Sequence, residues 1–249
     1  MVHNDGEFDR ATVADHSVTH VDAVGNVGFG AAVNLALPAI AAERVVLCNP
    51  DVQLRAEHYE ALVAATPDEV VTVPLVDDDG APTSVVSAYP TPLSHLASAY
   101  RLGRFAPRAG RARHVVSQAF GRWGQAHRES LRQATGSWPL AERWVSGGVL
   151  SVDTERLTEV GGFDDRYFLY YEDVDLCERL AARFPRSVAR VADVEAGRHS
   201  VGGSGRDANR RPAERARRHS AARYAASQPG GSWRIARRLI EPTRGVEQS

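Results

Sequence analysis

Short β-branched runs alternate with helically spaced apolar residues along the first part of the chain. The runs at 16–24, 44–52 and 69–76 predict strands, and the stretches at 28–42 and 57–65 predict helices between them. Strands that alternate with helices are typical of a sheet whose connections cross over through helices. We therefore predict an α/β fold in which helices flank a mostly parallel sheet.

The pattern changes in the second part of the chain. Residues 95–143 mix Arg, Gly, Ala and isolated aromatic residues without a firm period, and we expect a variable, partly helical excursion there. After it, apolar runs predict strands at 144–152 and 187–196. An Arg-rich helix is expected around 208–226, followed by a short basic helix near the C-terminus.

Local signals mark the ends of the helices that precede the last strand. Asp153 stands where an N-cap residue would start a short helix, and Gly161-Gly162 would end that helix. From Val174 onward, apolar residues recur at helical spacing. The acids just before Val174 are therefore expected to open a second helix.

The length and composition allow one sizeable core, or one core with a small appendage. The 249 residues are 43% hydrophobic, and no apolar run approaches the roughly 18 residues that a membrane-spanning helix needs. The N-terminus lacks the basic-then-apolar layout of a secretory signal. Cys48 and Cys177 both lie in apolar settings, which favours buried thiols in a reducing cytosol over a disulfide scaffold or zinc site. We predict a cytoplasmic protein.

Charge is distributed unevenly along the chain. All basic residues are arginine; residues 1–197 carry a balance of −9, and residues 198–249 carry a balance of +8. The basic tail could contact anionic lipid, a phosphorylated ligand or nucleic acid. A solvated helix face that balances an acidic body explains the charge equally well. Nucleic acid is not expected as a partner, because no recognised module or aromatic stacking platform accompanies the arginines.

Three acids, Glu172, Asp173 and Asp175, follow directly on the aromatic stretch 167–171. Acids at the start of a helix cap free N–H groups and suit the helix dipole. One cap needs only one acid, however, and this turn supplies three. Aromatic neighbours would desolvate a carboxylate and raise its pKa, as a general base requires. The residues alone leave both interpretations open.

A further acid, Asp51, ends the strand at 44–52 in the sequence Asn49-Pro50-Asp51. In open parallel sheets, ligands gather at the carboxyl ends of strands. An aspartate there can meet a divalent cation that bridges phosphate oxygens, although an ordinary Asn-Pro-Asp turn is the simpler interpretation. His199, in "RHSVGG", is a third candidate, but a lone histidine is more often structural or exposed.

Four blocks of sequence, taken in order, resemble one known family. They are "GNVGFGAAVNLAL" (25–37), "VVLCNPDVQL" (45–54), "WVSGGVLSVDTERLTEVGGFDDRYFLYYEDVDLCERL" (144–180) and "HSVGGS" (199–204). Together they resemble the family 2 glycosyltransferases of the GT-A fold, in particular the rhamnosyltransferase-like branch that builds bacterial surface polysaccharides. The resemblance implies a GT-A-like domain over 1–205, and leaves 206–249 as a basic helical C-terminal extension.

The resemblance also implies a metal site and a catalytic base. Asp51 and His199 would hold Mg²⁺ or Mn²⁺ on the diphosphate of a nucleotide sugar. Asn49 occupies the first acidic position of the family's Asp-x-Asp motif, where an amide supplies no charge. Asp173 would be the general base that takes the proton from the acceptor hydroxyl, in a single displacement with inversion. The residues expected to line the substrate sites are Asn26, Asn49, Trp144, Ser146, Gly147, Gly148, Glu172 and Asp175.

The N-terminus departs from the family pattern. The family's first strand and helix, with a base-binding turn, would precede the segments seen in this chain, so we expect an N-terminally truncated GT-A domain. His3 stands where the family has a base-binding aspartate. A start further upstream, a degenerate remnant, or an altered mode of donor binding would each explain the difference. The chain is therefore expected to bind nucleotide weakly or not at all.

The implied function is that of an inverting, metal-dependent glycosyltransferase. It would move a sugar from a dTDP- or UDP-sugar to a cell-envelope glycan or a lipid-linked acceptor. With the basic tail, this predicts a peripheral contact with the inner face of the cell membrane. A non-catalytic glycosyltransferase-like module that binds glycan or a partner subunit is the alternative. A nucleotidyltransferase is a weaker third hypothesis, because the block at 144–180 argues against it.

Overall fold

The computed structural model of the chain describes residues 2–3, 19, 21–99, 135–200 and 207–240. The strands in these ranges are β1 (Val2–His3), β2 (Val21–Asp22), β3 (Arg44–Cys48), β4 (Val52–Gln53), β5 (Glu69–Thr72), β6 (Leu75–Val76), β7 (Val86–Ala88), β8 (Gly136–Pro139), β9 (Arg143–Val145), β10 (Val149–Asp153), β11 (Val188–Val191) and β12 (Gly197–His199). The α-helices are α1 (Phe29–Ala36), α2 (Ala56–Val63), α3 (Pro92–Ala99), α4 (Thr154–Glu159), α5 (Glu172–Arg183), α6 (Asp207–Ser227) and α7 (Gly231–Ile240).

The largest sheet has five strands in the order β3-β10-β5-β11-β8. It is flanked by helices, so the α/β class is confirmed, but the sheet is mixed rather than mostly parallel. β11 pairs with β5 in parallel, whereas β10 is antiparallel to both β3 and β5, and β8 is antiparallel to β11. The prediction missed these directions because a run of apolar residues marks a strand without showing which way it points.

The reversed direction of β10 positions the loop before it. Val149, the first residue of β10, pairs with Cys48, the last residue of β3. The residues that precede Val149 therefore lie beside those that follow Cys48. If β10 ran parallel to β3, the two segments would lie at opposite ends of the strands. This register brings Gly147 and Gly148 next to the Asn49-Pro50-Asp51 turn.

Two of the predicted strands are broken in the structure. The run at 69–76 is divided at Val73-Pro74, because β5 belongs to the large sheet and β6 pairs with β12 instead. The run at 144–152 is divided between β9, which pairs with β7, and β10. The strand β12, which contains His199, was not predicted. Of the excursion predicted at 95–143, residues 100–134 lie outside the described part.

The main core lies between the large sheet and helices α2, α4 and α5. Leu62, Leu157 and Leu176 project from these three helices and are fully buried. The helix boundaries follow the sequence signals: the Asp153 carboxylate accepts a hydrogen bond from the N–H of Arg156 at 2.9 Å and caps α4. Burial of this apolar face, at roughly 25 cal/mol per Å², is the main stabilising contribution.

A second hydrophobic cluster joins the C-terminal helices to the segment before α5. Its buried members are Tyr167, Tyr171, Val174, Ala221, Tyr224 and Ile240. The hydroxyl of Ser220 also donates a hydrogen bond of 2.8 Å to the carbonyl of Leu169. Helices α6 and α7 thus pack directly against the aromatic stretch, although the boundary at 205–206 stays a prediction. No helix in the described ranges is long and apolar enough to cross a membrane.

Candidate active site

The Asp173 carboxylate is held in the first turn of α5. Its Oδ2 accepts a hydrogen bond of 2.9 Å from the N–H of Gly147, and its Oδ1 accepts one of 2.9 Å from the N–H of Val174. The turn before it contains Tyr170 and Tyr171, whose φ angles of 69° and 70° lie in the left-handed region. Such backbone is costly for a tyrosine and is retained where the surroundings impose it, often at functional sites.

Glu172 and Asp173 form a buried pair of carboxyl groups. Glu172 is only 6% exposed, and its Oε2 makes no hydrogen bond among the described residues. Burial, together with the charge of Asp173, raises the pKa of Glu172 to about 8. Burial also raises the pKa of Asp173, against the opposing effect of the N–H groups of Gly147 and Val174. Two adjacent buried carboxyls do not both ionise readily, so one proton is retained between them near neutral pH.

The Asn49-Pro50-Asp51 turn lies against the same loop that holds Asp173. The N–H of Asn49 donates a hydrogen bond of 2.9 Å to the carbonyl of Gly148. The carbonyl of Asn49 in turn accepts a bond of 3.1 Å from the N–H of Val52. Gly147 and Gly148 are consecutive residues, one bound to Asp173 and the other to Asn49. The structure therefore places the two distant acidic motifs at one edge of the sheet.

Asp51 and His199 face each other across the paired strands β4 and β12. The N–H of Ser200 donates a hydrogen bond of 2.9 Å to the carbonyl of Asp51. The Nε2 atom of His199 lies 3.5 Å from Oδ1 of Asp51, which is buried and makes no hydrogen bond among the described residues. A carboxylate oxygen and an imidazole suit Mn²⁺, and the carboxylate also suits Mg²⁺.

This pair fits a cation that takes its remaining ligands from a substrate. The described residues contain no group of three or more His, Cys, Asp or Glu side chains that could hold a metal ion by themselves. A buried carboxylate oxygen without a hydrogen bond carries a desolvation cost, which a cation would offset. Asp51 and His199 are therefore adequate as two protein ligands to a cation bound with a diphosphate.

The segment that contains Asn26 also reaches this edge. The Asn26 side chain accepts a hydrogen bond of 3.0 Å from the N–H of Gly28, and the N–H of Phe29 donates one of 3.1 Å to the carbonyl of Phe168. A Cβ on Gly28 would lie 2.4 Å from that carbonyl oxygen, so only glycine permits the contact. The Phe29 ring lies 3.5 Å from where a Cβ of Gly147 would stand.

A cavity of about 340 Å³ opens beside the Asp173 carboxylate. Four of the predicted site residues line it, namely Trp144, Ser146, Glu172 and Asp173. The indole N–H of Trp144 donates a hydrogen bond of 3.1 Å to the carbonyl of Ala88 and so fixes the ring. A flat ring and two carboxyl groups in a cavity of this size can accommodate a sugar ring.

The arginine and the histidine that line this cavity were missed from the sequence. Arg217 of α6 places its guanidinium over the ring of Tyr170, 4.2 Å from the ring centre. His95 of α3 donates from Nε2 to the carbonyl of Ala221 at 2.7 Å, and burial lowers its pKa to about 4, so it is neutral. Neither belongs to a recognisable motif. Only the packing of α3 and α6 against the tyrosines brings them to the site.

Asp175 does not share the cavity with Asp173. Its carboxylate pairs with Nε of Arg179 at 2.8 Å, and Arg179 also donates to the carbonyls of Val160 and Gly162 at 2.7 and 2.8 Å. Asp175 therefore ties α5 to the turn after α4, and it lines a separate cavity against α6. These contacts position α5, and the expected contribution of Asp175 to a substrate site stays a prediction.

Similarity to known proteins is found at the level of sequence. No family model matches the chain. It is 31% identical, over 229 residues, to N-acetylglucosaminyl-diphospho-decaprenol L-rhamnosyltransferase of Mycobacterium tuberculosis, in both strain CDC 1551 / Oshkosh and strain ATCC 25618 / H37Rv. That alignment covers 84% of this chain and 67% of the relative. Among solved structures, a crystal structure of GalNAc-T7 with UDP, GalNAc and Mn²⁺ is similar at 11% identity and a TM-score of 0.44, covering 89% of this chain and 42% of that one.

Proposed function

Because this chain belongs to the rhamnosyltransferase-like glycosyltransferases, we propose that it transfers a sugar, with inversion, from a nucleotide-sugar donor to a lipid-linked acceptor. The mycobacterial relatives are named for rhamnosyl transfer to a diphospho-decaprenol carrying N-acetylglucosamine. By analogy, the donor here is a dTDP- or UDP-sugar and the acceptor is a polyprenyl diphosphate glycan of the cell envelope. Such an acceptor places the enzyme at the inner face of the membrane as a peripheral protein.

The donor diphosphate is assigned to the edge that carries Asp51 and His199. These two side chains would hold Mg²⁺ or Mn²⁺, and a bound cation would neutralise the charge that develops on the departing diphosphate. Asn49 supports the site through its main chain, which fixes the turn before Asp51. The segment at Asn26 and the N–H-rich start of α1 lie at the same edge and complete the donor side.

Asp173 is the proposed general base. The acceptor hydroxyl oxygen attacks the anomeric carbon from the face opposite the diphosphate; the new C–O bond forms as the bond to the diphosphate breaks. The hydroxyl proton passes to Asp173, whose burial makes it more basic than a free aspartate. The N–H of Gly147 keeps the receiving carboxylate in place. Glu172 has a raised pKa and is therefore neutral when Asp173 is charged, so it adds no second negative charge near the diphosphate.

The cavity beside Asp173 is the proposed acceptor site. The rings of Trp144 and Tyr170 provide flat surfaces for a pyranose, and Ser146 provides a hydroxyl. Arg217 supplies a positive charge in the same cavity, which suits an acceptor with a diphosphate. An acceptor bound in this cavity would have its hydroxyl beside the Asp173 carboxylate.

One observation carries this proposal. Consecutive residues, Gly147 and Gly148, bind the Asp173 carboxylate and the Asn49 N–H, and so join the proposed base to the proposed diphosphate site. A structure in which the proposed base lay far from the proposed diphosphate site would exclude a single-displacement mechanism.

The proposal is tested with Asp173→Asn and its matched control Asp165→Asn, an exposed aspartate in the loop before the tyrosines. Transfer from a panel of dTDP- and UDP-sugars to N-acetylglucosaminyl-diphospho-polyprenol is measured, with nucleoside diphosphate affinity as a second readout. Asp173→Asn should lose about 10² to 10⁴-fold in transfer and keep its affinity, while the control stays active. Full activity of Asp173→Asn would contradict the role of the base. A wild-type chain that binds nucleotide but transfers no sugar would instead support the non-catalytic alternative.

A further inference from the structure

Helix α7 exposes a stripe of large aliphatic side chains. Ile235 is 62% exposed and Leu239 is 54% exposed. Residues four apart lie on the same face of a helix, so the two side chains form one continuous apolar stripe. Single exposed aliphatic residues are ordinary, but a paired stripe on a fixed helix is a candidate docking surface.

Arginines run beside this stripe. Arg234 and Arg238 are also four residues apart and each directly precedes a member of the stripe, so they form a parallel basic row. With Arg237, helix α7 carries three arginines and no acidic residue in its ten residues. An apolar stripe bordered by a basic row is the pattern of helices that lie in the plane of an anionic membrane surface.

A third side of α7, next to the stripe and away from the basic row, anchors the helix to the protein. Ala236 and Ile240 are buried, and Trp233 packs against the second hydrophobic cluster. The helix is therefore held in one orientation with its apolar stripe outward. A docking surface that is already folded loses little conformational freedom on binding.

We propose that α7 docks the protein on an anionic lipid surface, with Ile235 and Leu239 in the interface and Arg234 and Arg238 against the headgroups. The basic row favours anionic lipid, rather than a second copy of this chain, as the binding partner of the stripe. In an antiparallel twofold pairing of this helix, the two basic rows would lie side by side, and like charges would repel.

The docking surface is connected to the proposed active site through packed rings. The ring of Trp233 lies 5.2 Å from that of His95, and His95 lies 5.1 Å from Tyr171, the residue before Glu172. Docking through α7 would therefore hold the Asp173 cavity at a fixed height above the membrane. The role of this docking rests on the proposed function, because a lipid-linked acceptor presents its diphosphate at the membrane surface.

The test measures flotation of the full chain with phosphatidylcholine vesicles that contain or lack phosphatidylglycerol. Wild type should bind the anionic vesicles at low salt and bind the neutral ones weakly. Ile235→Ser with Leu239→Ser should lower binding at least about tenfold. Arg234→Gln with Arg238→Gln should lower binding to anionic vesicles by about 30-fold. Val63→Ser on α2, where Val63 is 56% exposed, is the matched control and should bind as wild type.

The outcomes separate the docking surface from the catalytic proposal. Vesicle binding needs no donor, and transfer to a short, water-soluble diphosphate acceptor should be unchanged in the α7 variants, which also controls for folding. Equal binding of wild type and the Ile235/Leu239 variant would overturn the proposal. So would light scattering that shows a wild-type dimer converted to monomer by the same substitutions, since a second copy would then occupy the stripe.

Discussion

The N–H of Gly147 donates a 2.9 Å hydrogen bond to Oδ2 of Asp173, and this bond joins the loop between β9 and β10 to the first turn of α5. The two residues are 26 positions apart in the chain. Because Gly148 binds the turn of Asn49 through its carbonyl, the loop is the common support of both proposed halves of the site.

Gly147→Ala should reduce activity more than stability. A Cβ there would lie 3.5 Å from the Phe29 ring and 3.7 Å from the Asp173 carboxylate, which are ordinary contacts. The free energy of unfolding should therefore change by less than about 1 kcal/mol. If the donor sugar approaches this loop closely, the methyl group should raise KM for the donor or lower kcat. Unchanged kinetics would show that the sugar does not approach Gly147.

Gly28→Ala should destabilise the protein strongly. The residue has a φ of 90°, and a Cβ would lie 2.4 Å from the carbonyl oxygen of Phe168. We expect a loss of more than about 2 kcal/mol in the free energy of unfolding, measured by urea denaturation. Gly25→Ala is the control: its φ of 76° is also positive, but no atom lies within 4 Å of its Cβ position, so only the backbone cost of about 1 kcal/mol applies. Equal losses would contradict the close contact at Gly28.

Glu172→Gln should flatten the dependence of stability on pH. The folded-state pKa of Glu172 is raised from 4.5 to about 8, so the folded protein binds more protons than the unfolded chain between these values. Stability contributed by protonated Glu172 is therefore present below about pH 4.5 and is lost as pH rises toward 8. Tm of the wild type should fall over this range more than Tm of Glu172→Gln. Parallel curves for the two proteins would rule out a raised pKa at Glu172.

Asp51→Asn and His199→Ala should each abolish the effect of Mn²⁺ on nucleotide binding. In the wild type, calorimetric titration with UDP and dTDP should give tighter binding when Mn²⁺ is present, because the two side chains would hold the cation on the diphosphate. Asp79→Asn, in an exposed turn between β6 and β7, should retain the enhancement. Enhancement by Mn²⁺ that survives in both site variants would place the cation elsewhere.

Tyr224→Ala should lower both stability and activity. The ring of Tyr224 is buried and packs 5.2 Å from the ring of Tyr171, which holds left-handed backbone before α5. Removal of a buried aromatic ring costs about 3–5 kcal/mol. Transfer should fall even at temperatures where the variant stays folded, because the turn before Asp173 is loosened. Tyr59→Ala on α2, where the ring is half exposed, should change neither quantity by much. If folded Tyr224→Ala had normal activity, α6 would not be needed to support the active site.

The residues alone predicted much of the local structure. The acidic cluster opens α5, Asp153 caps α4 and the Arg-rich segment forms α6, because caps and helical periodicity act over a few residues. The direction of β10 in the sheet was not predictable in the same way, since an apolar run looks the same for a parallel and an antiparallel strand. His95 and Arg217 were missed for a related reason: their positions in the cavity depend on how α3 and α6 pack, which involves residues far away in the chain.

Membership of a glycosyltransferase family was predicted from sequence blocks, and the mycobacterial relatives confirm it. The roles of Asp51, Asp173 and His199 stay predictions, which the variants above address. The blocks signalled these residues because they sit at the ends of strands and at the start of a helix. They did not signal that burial and the charge of Asp173 raise the pKa of Glu172, because that burial arises only in the folded protein.

The insertion of β10 between β3 and β5 has a consequence for biosynthesis. During translation, β3 and β5 emerge first, and β10 begins 77 residues after Thr72, the end of β5. Until then, both strands present unpaired edges that invite wrong partners. Fragments that stop before Val149 should aggregate rather than form a smaller sheet, and the non-local pairing of β10 with β3 and β5 should slow folding.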